Sequence, residues 1–131
     1  EVLDRVLAGG AHEAEVHRER GLALAELGRL EEALSAFREA SRRDPQDPVA
    51  LEDAARAAFH LGRDREAVIL YETLLRLRPA DVATWKTLGA IYIQRLEDPT
   101  QASRCFREAL RLSRDPAERE ELARAVAELG G

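Results

Sequence analysis

Small and apolar residues recur along this chain in stripes of helical spacing, separated by short polar or glycine-containing breaks. Leu30, Ala33, Leu34, Phe37 and Ala40 fall at steps of three and four, on one face of a helix predicted over roughly 30–43. The pattern then returns. Gly28, Ala33, Phe37 and Pro45 reappear 34 residues later as Gly62, Ala67, Tyr71 and Pro79, and a further copy carries Ala102, Phe106 and Ala109. Other helical stretches alternate with these copies. One spans roughly 13–27, with Val16, Leu24 and Leu27 on one face. One follows Asp47-Pro48, with Leu51, Ala54, Ala55 and Ala58 inward. A third follows Asp81, with Trp85, Leu88, Gly89 and Tyr92. Asp before Pro reads as a helix start, because the carboxylate accepts an orphan backbone N–H and proline suits the first helical position. Asp98-Pro99 and Asp115-Pro116 mark two more starts, the last leading into Leu122, Ala123, Val126 and Leu129.

A fixed period filled by two helices is the signature of an α-helical solenoid. The expected organisation is one array over 1–131: the second helix of a preceding repeat at 1–13, repeats at 14–47, 48–81 and 82–115, and the first helix of a further repeat, or a cap, at 116–131. Gly9-Gly10 is expected to end the helix of residues 1–8. Tyr92 and Ala102 are ten residues apart where Leu24 and Ala33 are nine, which places a one-residue insertion in the Leu96–Asp98 turn. The sequence lacks methionine even at its first position and starts in mid-repeat, as a processed product or excised fragment would.

Composition narrows the class. Apolar residues are 45%, charged residues 34% and aromatics only 5%, a mixture of strong helix formers that fits an all-α protein. A formal net charge of −5 argues against nucleic acid as a partner. No apolar run approaches membrane-spanning length, so direct membrane insertion is not expected. Cys105 is the one cysteine, which fits a reducing compartment; the cytoplasm is expected, with the periplasm open because flanking sequence is out of view.

The repeat resembles the tetratricopeptide repeat, a 34-residue helix–turn–helix. The third unit supplies Trp85, Leu88, Gly89, Tyr92, Ala102, Phe106 and Ala109; the first supplies Gly21, Ala33, Phe37, Ala40 and Pro45; the second keeps Ala67, Tyr71 and Pro79. Departures are Arg20, Ala54 and Ala55 in place of Leu-Gly, and Arg114 in place of the third proline. The resemblance implies a right-handed superhelix of antiparallel helix pairs whose first helices line a concave groove that binds protein. Position by position, it turns Arg18, Leu22, Glu52, Arg56, Phe59, His60, Lys86 and Ile93 toward that groove. Leu22, Phe59 and Ile93 are expected to form an apolar strip for a protein or peptide partner, with Arg18, Glu52, Arg56 and Lys86 setting register. Co-chaperone members of the family hold a terminal carboxylate with Lys, Asn and Arg at set positions. Here those positions carry Arg18, Leu22, Asp53, Ala83 and Thr87, and Asp53 would repel a carboxylate.

No enzymatic chemistry, metal or cofactor is expected. His12 and His17 are five residues apart, about 140° around a helix, and so do not present both imidazoles to one ion. Cys105 has no histidine in register and reads as a small packing residue. The leading expectation is therefore a protein-interaction module or scaffold. The alternatives are homo-oligomeric self-assembly through exposed terminal helices, and a bacterial secretion or assembly chaperone with an apolar cargo in the same groove.

Overall fold

The computed structural model describes the backbone of residues 2–130 and the side-chain environments of residues 10 and 12–130. Among the described residues all regular structure is helical: α1 (Val2–Glu26), α2 (Leu30–Arg43), α3 (Pro48–His60), α4 (Asp64–Leu77), α5 (Val82–Gln94), α6 (Pro99–Leu112) and α7 (Pro116–Glu128). They form two compact units, one ending at Thr73 and one starting at Leu74.

The expected helix starts follow from side-chain chemistry. Asp47, Asp98 and Asp115 each accept a backbone N–H, from Val49, Gln101 and Ala117 respectively, and each is followed by proline in the first turn. Asp81 departs from the pattern. Its carboxylate accepts instead from the buried Thr84 hydroxyl at 2.8 Å.

The turns inside repeats are equally legible. Gly28 and Gly62 adopt φ of +78° and +77°, and the residues after them donate back to Leu24 and Ala58. This left-handed closure satisfies the last carbonyls of α1 and α3. The third turn lacks a glycine and carries the expected extra residue. There Glu97 takes the left-handed conformation, at φ 51°, and Asp98 N–H reaches back to the Tyr92 carbonyl.

In the first unit α1 packs on α2, and α2 on α3. Ala33, Leu34, Phe37 and Ala40 are buried, as are Leu51, Ala54, Ala55 and Ala58. Two expectations for α1 fail. The helix runs unbroken through Gly9-Gly10, so residues 1–13 are not a separate helix. Glycine weakens a helix by about 1 kcal/mol but stops it only where the chain turns left-handed. Neither residue is among the glycines with positive φ. The face is also rotated: Leu24 is buried, but Val16 and Leu27 are 50% and 70% exposed. Ala14, Gly21 and Leu24, at steps of seven and three, make the buried stripe.

In the second unit α6 packs on both α5 and α7. Leu88, Ala102, Cys105 and Ala109 are fully buried, with Ile91 and Leu122 nearly so. The Trp85 indole donates to the Pro79 carbonyl at 3.0 Å, tying the start of α5 to the proline that follows α4.

One packing device appears in both units. A Cβ built on Gly21 would stand 2.5 Å from the Phe37 ring, and one on Gly89 would stand 2.8 Å from the Phe106 ring. Phe37 of α2 and Phe106 of α6 each press against the bare backbone of the preceding helix. Gly21→Ala and Gly89→Ala should therefore destabilise the fold. Alanine's better helix propensity returns about 1 kcal/mol, but displacing a packed ring costs about 1–3 kcal/mol. Thermal unfolding followed by circular dichroism should show a midpoint several degrees lower for each variant, with partial recovery in Gly21→Ala/Phe37→Leu. An unchanged midpoint would mean that the ring has room to move.

Candidate functional site

Beside the face that packs on α2, α1 carries Arg18, Leu22 and Ala25 at steps of four and three, one stripe of a helix. α3 presents Asp53, Arg56 and His60 with the same spacing. Between them lies a cleft of about 250 Å³. Leu22, Ala25, Leu30, Phe37 and Ala57 give it an apolar lining, and Asp53, Arg56 and His60 a polar rim on the α3 side. Leu22 is 37% exposed, high for a leucine in a folded helix, and stands at the mouth.

One carboxylate organises the rim. Asp53 is 4% exposed, yet each of its oxygens has a guanidinium partner. Arg18 Nε donates to Oδ2 and Arg56 Nη2 to Oδ1, both at 2.8 Å. A buried carboxylate without such partners would be strongly unfavourable, so the charge is bound to both helices at once. Glu52 lies 3.9 Å from Arg56 and adds a looser contact. Phe59 is half-buried and meets the His60 ring edge-on, with centroids 5.6 Å apart.

Leu22, Arg56 and His60 thus line one cleft; Arg18 is tied to it through Asp53, and Glu52 and Phe59 adjoin Asp53 and His60 along α3. Lys86 and Ile93 belong to the second unit. Ile93 is half-buried on α5. Lys86 is held by α7, its ammonium donating to Glu118 at 3.0 Å, while the Ser113 hydroxyl donates to the other oxygen of Glu118 at 2.6 Å. These bonds, the hydroxyl first, hold the Glu118 carboxyl below the usual carboxylate range. Sequence reasoning missed Asp53 as an organising residue and Leu30 and Ala57 as lining. Of the two partners of Asp53, Arg56 is three residues on but Arg18 lies 35 residues away, a distance at which only the repeat period hints at contact.

Among the described residues no group of three or more His, Cys, Asp or Glu side chains is arranged to hold a metal. His12 is exposed and His17 half-buried. No described helix is long and apolar enough to cross a membrane.

Comparison with known proteins bears on this arrangement. Models of the tetratricopeptide repeat match residues 24–91 and 84–120, and the chain belongs to that family. No curated protein sequence matches it. Solved structures share its fold. The N-terminal domain of stress-induced protein-1 from C. elegans aligns with a TM-score of 0.78 at 22% identity, covering 93% of this chain and 98% of that one. The first TPR of Spaghetti (RPAP3), solved with an HSP90 peptide, aligns at 0.73 and 21% identity, covering 92% and 96%. The Arabidopsis OM64 TPR domain aligns at 0.72 and 18%, covering 92% and 97%.

Two measurements check the electrostatics. A double-mutant cycle over Arg18→Ala and Asp53→Asn should return a coupling of about 1–2 kcal/mol, against a few tenths for the exposed pair Arg42–Glu39. Equal couplings would mean that burial of Asp53 adds nothing. For Glu118 the folded carboxyl is depressed, so its contribution is present above the unfolded value of about 4.3 and is lost as pH falls through the folded one. Wild type should therefore be more stable than Glu118→Gln at neutral pH, with the gap closing in acid. A gap that persists at low pH would refute the ionic account.

Proposed function

We propose that this chain is a protein-interaction module that seats an apolar side chain of a protein or peptide partner between α1 and α3. The cleft at Leu22 carries the reading: an exposed leucine at the mouth of an apolar cavity whose charged rim is already fixed in place. Such pre-organisation lowers the entropy lost on binding, and apolar anchors in a defined pocket supply most interface energy. Phe59 extends the apolar surface on α3, Ile93 occupies the matching repeat position on α5, and Arg56 and His60 set register beside the anchor. Glu52 flanks Arg56 on α3 as part of the proposed surface of the first unit, and Lys86 is proposed to contribute from α5 of the second.

The Spaghetti domain is solved with an HSP90 peptide, SRMEEVD. Capture of a terminal carboxylate is not proposed for this chain, because Arg18 is engaged by Asp53, which supplies a carboxylate of its own. A self-assembling scaffold has less support, since the outward residues of α7 include Glu121, Arg124 and Glu128. A cytoplasmic setting, resting on the single cysteine in the sequence, is part of the same proposal.

The test is affinity capture with wild type, Leu22→Glu and the double variant Phe59→Ala/Ile93→Ala, each verified as folded by circular dichroism. The partners retained by wild type should fall at least tenfold, about 1.4 kcal/mol, on Leu22→Glu. An identical set of captured proteins at identical yield would sink the proposal.

A further inference from the structure

The Arg18–Asp53 bridge separates two clefts of the first unit. Asp53 borders the apolar one described above; Arg18 borders a second, of about 310 Å³. The second cleft is lined by Ala14, Ala40 and Ala50 and by the carboxylates of Glu15, Asp44 and Asp47. The one cation among its described lining residues, Arg18, is neutralised by Asp53. Neither Glu15 nor Asp44 forms an ion pair among the described residues, and Asp47 uses one oxygen to cap α3. The acidic character continues along α1. Glu15, Glu19, Leu22 and Glu26 share one stripe, at steps of four, three and four, and all are exposed.

Resting on the interaction reading of the Leu22 cleft, we infer that the partner segment is basic: an apolar side chain enters the Leu22 cleft and an arginine or lysine enters the neighbouring acidic cleft. The shape and chemistry agree. Long basic side chains lay an aliphatic stem on apolar surface while the charged head seeks carboxylates, and here three alanines adjoin three carboxylates. A guanidinium suits paired carboxylate oxygens better than an ammonium does. Clefts lined by one sign of charge concentrate the opposite charge and speed its arrival. Glu19 and Glu26, on either side of Leu22, would favour further cations next to the anchor. An acidic segment meets repulsion along the same stripe.

The probe is a set of short fluorescein-labelled peptides in a Gly-Ser background, each with one phenylalanine and one arginine at several spacings. Each has an Arg→Glu counterpart and a Phe→Ala counterpart. Fluorescence anisotropy at low salt reads binding to wild type, to Glu15→Gln/Asp44→Asn, and to Leu22→Glu. At one or more spacings the arginine peptide should bind at least tenfold tighter than its glutamate counterpart. That preference should vanish in Glu15→Gln/Asp44→Asn and weaken with rising salt. Both substitutions are of exposed or half-exposed surface groups, and circular dichroism checks the fold. Equal binding of arginine and glutamate peptides, or a preference that survives the double substitution, overturns the basic-segment inference. In that case a loss on Leu22→Glu would still leave the interaction module standing. If no peptide binds at any spacing, the inference also fails, while capture with the Leu22→Glu variant judges the module separately.

Discussion

Two rings pressed on two glycines hold together the first helix pair of this protein, α1 with α2, and its counterpart α5 with α6. Phe37 lies against Gly21 and Phe106 against Gly89, each closer than any Cβ would permit. The contact lets the paired helices approach closely, so alanines such as Ala33, Ala40, Ala102 and Ala109 are enough to complete the seal. It also fixes the rotation of each first helix. Once Gly21 faces α2, Ala14 and Leu24 must follow it inward, and the stripe through Arg18, Leu22 and Ala25 is turned out. The surface proposed for binding thus borders the packed face of the same helix, about 40–100° around the axis from Gly21.

That surface is organised by charge as much as by shape. Asp53 is buried where the fold could have placed an apolar residue, and two arginines hold it there. Such an arrangement is weak evidence for stability, because desolvating the ions offsets most of their attraction. It does position α1 against α3 and consume the cations, leaving the α1 stripe with glutamates. The first unit therefore presents an apolar cleft and an acidic one side by side. The second unit handles charge differently, with Lys86 and Ser113 converging on Glu118 to fasten the last helix.

The architecture was readable because each local rule pointed the same way. Asp-Pro pairs started helices, glycines at Gly28 and Gly62 closed turns, and the extra residue of the third repeat was absorbed at Glu97. The failures were of one kind. Gly9-Gly10 looked like a stop, yet a glycine pair ends a helix only when the chain needs to turn, and here it does not. Val16 and Leu27 looked like core because apolar residues usually are, yet the Gly21 contact had already chosen another face. Among the candidate site residues, Arg18, Leu22, Arg56 and His60 were reachable from repeat position. Asp53 appeared only as an obstacle to carboxylate binding.

The residue pattern by itself determined the helix pairs, their period, the turns and the family, since these depend on contacts within about one repeat. Tertiary structure decided which carboxylate is buried, which arginine serves it and which apolar groups meet in the Leu22 cleft. Those choices join residues in different helices and rest on the rotation of α1 about its axis. A shift of one residue in that rotation moves every side chain by about 100°, and it would lose the fit of the Phe37 ring on Gly21, the burial of Ala14 and Leu24 and the Arg18–Asp53 bridge together.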